Sequence, residues 1–199
     1  VQLFMPEYED EASSSFVVDS WYKKSLWLYL LYPFSLIFSY LTSRRRRKFL
    51  KNKISAYSAE IPIVVVGNLT IGGTGKTPLV KYIATELSNK GYKPGIVSRG
   101  YGGKFKETLQ VTDQTSVKET GDEAQILAKL NFPFYIDKNR VRAVKNLVAN
   151  HDCDIIISDD GLQHYQMGRN IEIAVIDGKR RFGNNLTFPP GPLRESKKR

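Results

Sequence analysis

The chain has 199 residues, 41% of them apolar, and a formal net charge of +10. That length and composition suit one globular domain with an appendage. The single cysteine, Cys153, excludes an internal disulfide and a cysteine-built metal site, and the only histidines, His151 and His164, have no zinc-ligand spacing.

Residues 1–20 are acidic and serine-containing and read as a flexible tail. Residues 21–53 form a second segment: Trp21-Tyr22-Lys23-Lys24, an apolar run from Ser25 to Leu41 with Pro33 in its middle, then Arg44-Arg45-Arg46-Arg47-Lys48 with Lys51 and Lys53. The run is shorter than the roughly 20 residues that cross a bilayer core. A buried core helix, a membrane span and an in-plane interfacial helix are the three readings. Trp21, Trp27, Tyr29, Tyr32 and Tyr40 are interface-seeking side chains. Arginines meet anionic headgroups at about 1 kcal/mol each. Membrane contact is therefore favoured over a core helix, and an in-plane or half-inserted segment over a span. No small-residue cleavage site follows, which argues against a signal peptide, and the positive-inside bias places the rest of the chain in the cytoplasm. A second basic cluster, Ser196-Lys197-Lys198-Arg199, closes the sequence. Such runs suit a solvated face, nucleic acid or anionic lipid, and the aromatic neighbours of the first cluster favour lipid.

From residue 54 to 199 the pattern alternates strand and helix. Strands are predicted at Ile61–Val66, Gly95–Ser98, Pro133–Ile136, Asp154–Ser158 and Ile171–Ile176, and helices at Lys76–Lys90, Asp122–Leu130 and Arg140–Asn150. This predicts an α/β fold with a mostly parallel sheet covered by helices on both faces, with ligands bound beyond the carboxyl ends of the strands. Cys153, beside Ile155-Ile156-Ile157, reads as a core thiol.

The first strand exit is Val66-Gly67-Asn68-Leu69-Thr70-Ile71-Gly72-Gly73-Thr74-Gly75-Lys76-Thr77-Pro78. It ends as a phosphate-binding loop does, predicting a P-loop NTPase-like domain that takes a nucleoside triphosphate with Mg²⁺. Residues Thr70 to Thr77 are the candidate nucleotide-binding stretch, with Lys76 on the phosphates and the Thr77 hydroxyl on the metal. The usual spacing asks for glycine where Thr70 stands. The fourth exit, Ser158-Asp159-Asp160-Gly161-Leu162-Gln163-His164, carries acid to a strand tip. Asp159 is the first choice for the metal shell, and Asp160 either shares that task or fixes the Gly161 turn. Asp122 and Glu123 open a helix. Asp122 is either a helix cap, which spacing alone favours, or a general base. Arg99 reads as a phosphate contact or a surface residue, Tyr101 as groove lining or packing, and His164 as a proton carrier or a turn residue.

These blocks together resemble the tetraacyldisaccharide 4′-kinase (lipid A 4′-kinase) family. They are the loop above, Ser98-Arg99-Gly100-Tyr101-Gly102, Gly121-Asp122-Glu123-Ala124, Asp159-Asp160-Gly161-Leu162-Gln163-His164 and Pro190-Gly191-Pro192-Leu193-Arg194-Glu195, and the likeness runs from about Trp21 to Glu195. The family carries the variant loop without the first glycine. The resemblance implies transfer of the γ-phosphoryl group of ATP to the 4′-hydroxyl of a tetraacylated disaccharide 1-phosphate, giving lipid IVA. It implies ATP and Mg²⁺ as cofactors, and work on the cytoplasmic face of the bacterial inner membrane, with the N-terminal helix meeting the lipid. It calls for a membrane surface and a lipid A precursor, no nucleic acid, and names no protein partner. It raises Asp122 to catalytic base and sets Lys76 and Thr77 on phosphate and metal. Asp159 and Asp160 fall at the acidic metal-side pair, and Glu123, Gln163 and His164 near the reaction. Arg99 and Tyr101 are carried as substrate contacts. Family members continue beyond the Pro-Gly-Pro-Leu-Arg-Glu block into a second lobe that supplies a histidine to the catalytic aspartate, so the sequence reads as the family's N-terminal part. Two alternatives stand beside the kinase: a nucleotide-switch ATPase or GTPase, and a membrane-bound nucleotide-binding module without turnover. No Asn-Lys-x-Asp base-recognition motif occurs.

Overall fold

A computed structural model describes residues 16–23, 25–51 and 55–197. Residues 1–15 of the expected tail, and Lys24, Lys53, Lys198 and Arg199 of the basic clusters, lie outside the described residues. The last five residues of the expected tail are helical: α1 covers Phe16–Tyr22 and buries Ser20 and Trp21. A 3₁₀ turn, Leu26–Leu31, runs into α2, Tyr32–Leu50. Pro33 does not break it, because it sits in the first turn of α2, where a missing N–H costs no helix bond. The helix continues past the apolar run, which ends at Leu41, and through the arginine cluster.

Six strands follow: β1 (Ile63–Asn68), β2 (Pro94–Ser98), β3 (Leu109–Gln110), β4 (Phe134–Ile136), β5 (Ile155–Asp159) and β6 (Ile171–Val175). They form one sheet in the order β3-β4-β2-β5-β1-β6. Every pairing is parallel except β3 with β4. The helices are α3 (Lys76–Asn89), α4 (Val117–Thr120), α5 (Asp122–Ala128) and α6 (Arg140–Asn150). The five predicted strands and three predicted helices are all present. The sequence reading missed β3 and α4, which are too short to show a period.

Period-two alternation in β1 sends Val64 and Val66 to one face and Ile63 and Val65 to the other. The first face packs on α3 and α5 through Val80, Ala84 and Leu127. The second packs on α6 through Ala143, Val144 and Leu147. Cys153 lies in that second core, and burial pushes its thiol up. With both faces covered, the inner strands β1, β2, β4 and β5 are apolar and buried along almost their whole length, whereas the edge strands β3 and β6 are largely open to solvent.

Candidate active site

β1 and β5 are neighbours, with Val66 opposite Asp159, so the glycine loop and the acidic tip leave the sheet side by side. α3 begins at Lys76. Its cap is Gly75 at φ 77°, a left-handed conformation that a Cβ disfavours. The first N–H groups of α3 then open toward the loop. The loop is closed from inside by Asn68, whose Nδ2 donates to the Gly72 carbonyl at 3.1 Å. Its entry is braced from outside by the C-terminal block. Ile71 N donates to Pro192 O at 2.8 Å and Arg194 N to Leu69 O at 2.7 Å, which pairs Thr70 with Leu193 as an antiparallel bridge. A residue in such a bridge has extended backbone, so position 70 has no need of glycine. Thr70 is buried there and its part is to hold the loop.

Lys76 is buried, with Nζ 3.9 Å from Asp160 Oδ1. Arg194 Nη1 donates to both Asp160 oxygens, at 2.9 and 3.1 Å. Arg140 Nη1 donates to Asp137 O at 3.0 Å and Nη2 to Asp160 O at 3.3 Å. Burial pushes that guanidinium down to about 10. The Asp160 carboxylate is thus engaged by cations. Asp159 differs: it is 1% exposed, and burial pushes its carboxyl up to about 7, opposed by Lys76 and reinforced by Asp160 and Glu123. Asp159 Oδ1, Asn68 Oδ1, Thr74 Oγ1, Ser158 Oγ and His164 Nε2 are buried with no hydrogen-bond partner among the described residues. Each such group costs about 1–3 kcal/mol. Three of them, on Asn68, Thr74 and Asp159, lie on the glycine loop and the neighbouring acidic strand tip, a place that a polar ligand completes. An unpartnered buried carboxylate oxygen also suits a hard cation. No group of three His, Cys, Asp or Glu that could hold a metal gathers among the described residues.

α5 brings Glu123 close enough for its charge to act on Asp159. The helix starts at Gly121 (φ 83°), where a Cβ would meet Tyr101 O at 2.0 Å. Only glycine lets the β2 exit loop lie against the start of α5. The cap reading of Asp122 is corrected by this geometry. Gly121 holds the cap position, no side chain caps α5, and Asp122 is the exposed first residue of the helix. Capping is done one turn earlier by Ser116, whose side chain accepts from Lys118 N.

Arg99 is exposed, and its charge reaches Arg140 and His164. Tyr101 is 76% exposed, which removes the packing reading. Gln163 Nε2 donates to Asn68 O at 3.1 Å, tying the acidic turn to the phosphate loop. His164 N donates to Gly161 O at 3.0 Å. Burial, then the charges of Arg140 and Arg169, push its imidazole down to about 4, so it is neutral at pH 7. Sequence reasoning missed three residues of this site: Asn68, Arg140 and Arg194. Asn68 and Arg194 stood inside quoted motifs without a role. Arg140 follows a helix-capping asparagine, whose Oδ1 accepts from Val141 N and Arg142 N, and no local pattern marks it.

The family model for tetraacyldisaccharide-1-P 4′-kinase matches residues 27–199. The tetraacyldisaccharide 4′-kinase of Psychromonas ingrahamii is 46% identical over 178 residues, covering 88% of this chain and 56% of that protein. The enzyme of the same name from Methylobacillus flagellatus is 41% identical over 191 residues, covering 95% and 57%. Among solved structures, LpxK from Aquifex aeolicus in complex with ATP superposes with a TM-score of 0.79 at 31% identity, covering 87% of this chain and 56% of that one. The chain thus spans little more than half the length of these relatives.

Proposed function

Because the chain belongs to the tetraacyldisaccharide-1-P 4′-kinase family, we propose that it serves transfer of the γ-phosphoryl group of ATP to the 4′-hydroxyl of tetraacyldisaccharide 1-phosphate, giving lipid IVA. The observation that carries this reading is the glycine loop beside a buried, unpartnered carboxylate: β1 and β5 place Lys76 and Asp159 at one rim.

In this reading the loop Thr70–Thr77 wraps the triphosphate with backbone N–H groups, and Lys76 contacts the β- and γ-phosphates. Asp160, itself held by Arg194, lies beside the Lys76 ammonium at the loop mouth. Asp159 and the Thr77 hydroxyl are the groups that would hold Mg²⁺, which when bound neutralises charge on the β- and γ-oxygens. Asp122 accepts the proton of the 4′-hydroxyl as its oxygen forms a bond to the γ-phosphorus and the bond to ADP breaks. Glu123 sits beside it, and neutral His164 supplies a hydrogen-bonding ring nitrogen. Arg99 and Tyr101 line the acceptor side and Gln163 fixes the turn. Residues 54–199 are assigned to the nucleotide-binding domain and 21–53 to membrane contact at the cytoplasmic face of the inner membrane. The exposed apolar surface of α2 supports that contact: the helical stretch Leu26–Leu50 is long and apolar enough to cross a membrane, yet only 11% buried.

The test is a phosphoryl-transfer assay with Mg-ATP and the lipid acceptor. Transfer at the 4′-hydroxyl that disappears in Asp122→Asn supports the kinase; ATP binding without any transfer supports the non-catalytic nucleotide-binding module.

A further inference from the structure

We propose that Arg169 is the positioning residue of the acidic turn: its guanidinium gathers carbonyl oxygens of residues 161–167 and so fixes Asp159 and Asp160 against the phosphate loop. This deepens the kinase reading and rests on Asp159 as the carboxylate on the metal side.

Residues 160–167 leave β5 as two successive turns. They are closed by His164 N donating to Gly161 O at 3.0 Å and Met167 N to His164 O at 3.1 Å. Neither helix nor strand takes up the other carbonyls of this stretch, and a buried carbonyl without a donor is costly. The Arg169 guanidinium supplies the donors. Nη1 donates to Leu162 O at 3.0 Å and to Gly161 O at 3.5 Å. Nη2 donates to His164 O at 2.5 Å and to Met167 O at 3.1 Å, and Nε donates to Met167 O at 3.2 Å. The loop is thus folded around the cation that follows it.

The cation is itself held. Its side chain is only 12% exposed, and Nη1 also donates to Glu172 Oε1 at 2.9 Å. Glu172 stands on β6 opposite Val65 of β1, which ties the guanidinium to the sheet. Cζ lies 5.6 Å from the centroid of the buried Tyr165 ring, a cation–π contact. The Tyr165 hydroxyl in turn donates to both Glu195 oxygens at 2.6 Å.

The hold matters because Asp160 has φ 49°, a left-handed conformation that a Cβ disfavours. Such backbone persists only where its surroundings over-determine it. Arg140 fixes the carbonyl of Asp160 itself, and Arg169 fixes those that follow. Leu162 is already pressed on β1, where a Cβ on Gly67 would come within 2.7 Å of its Cγ. Without the guanidinium the turn relaxes away from the sheet, and Asp160 leaves its place 3.9 Å from Lys76 Nζ. Lysine cannot replace this grip. Its ammonium is a point charge with three donors, whereas the guanidinium carries five in one plane.

The experiment compares Arg169→Lys with Asp159→Asn in the full chain. Calorimetry gives the ATP affinity with Mg²⁺ and again with a chelator, and the ratio is the gain from the metal. Arg169→Lys is expected to cut that gain about ten- to hundred-fold, the range for losing a group that orients a metal ligand. The metal-free affinity is expected to stay unchanged, because Lys76 and the glycine loop are intact. An equal loss of both affinities marks a role in folding alone and overturns the positioning role. A full gain in folded Arg169→Lys, with the gain lost in Asp159→Asn, overturns it too and leaves the metal-side reading standing. A gain that survives in Asp159→Asn overturns that reading and this proposal together. A second measurement needs no variant to fold. In the wild-type chain the carbonyl bonds stop rotation of the guanidinium, so the Arg169 Nη protons are expected as separate signals in proton–nitrogen NMR. One averaged signal overturns the hold.

Discussion

The Arg194 guanidinium donates to both oxygens of Asp160, and the same carboxylate lies 3.9 Å from Lys76 Nζ. The C-terminal block therefore sets the charge at the mouth of the phosphate loop. Arg194→Ala leaves Lys76 as the remaining ion-pair partner of Asp160 among the described residues, so the carboxylate competes with phosphate for the ammonium. The expected result is about ten-fold weaker ATP binding by calorimetry and a loss of about 1–2 kcal/mol in stability by denaturant melt, the range for a charge-assisted, partly exposed bond.

Thr70→Gly restores the common loop spacing and is expected to do harm. Thr70 pairs with Leu193 in extended backbone, where glycine costs about 0.5–1 kcal/mol in chain entropy. A melt should show that loss, and ATP affinity should not improve.

Asp122→Asn is expected to lower phosphoryl transfer by about 10²–10⁴-fold, the range for a lost general base, with ATP affinity unchanged and stability lowered by no more than about 1 kcal/mol. Asp122 is exposed and caps no helix, so its charge acts on the fold through the first turn of α5, worth about 0.3–1 kcal/mol. Steady-state transfer and a melt on the same sample check both halves.

The outline of this site was legible in the sequence because its parts are local. A β-branched run, three glycines and Lys-Thr announce a strand, a loop and a helix in a single stretch. The N-cap reading of Asp122 failed because Gly121 is needed for its close approach to Tyr101, a contact between distant segments. Arg140 and Arg194 were illegible as site residues for the same reason. Their partners, Asp137, Asp160 and the loop backbone, are brought to them by parallel strand order, and neither sits in a pattern that periodicity reads. Thr70 departs from the common loop spacing, and its bridge to Leu193 gives the physical reason, which no local pattern carries.

Buried Asp159 and partly buried His164 pull the metal-free protein in opposite directions with pH. Asp159 has its folded value raised to about 7 from 3.8, so the folded state holds a proton that the unfolded state loses, and stability falls as pH rises through that window. His164 has its folded value lowered to about 4 from 6.5, so its contribution is present above 6.5 and lost as pH falls toward 4. Asp159→Asn should therefore raise the melting temperature at pH 8 more than at pH 5. His164→Gln should flatten the loss of stability on acidification. Melting curves across pH 4 to 8 without Mg²⁺ check both slopes.

The central claim is that the loop ending at Lys76 grips a triphosphate beside Asp159. Calorimetric titration of Mg-ATP into the full chain and its Lys76→Ala variant tests it most directly. The account predicts saturable binding of one ATP per chain, weakened ten-fold or more in the variant as a buried charged contact to phosphate is lost, roughly 1.4 kcal/mol or above. Equal affinity in the two proteins, or no ATP binding by a folded chain, would contradict it.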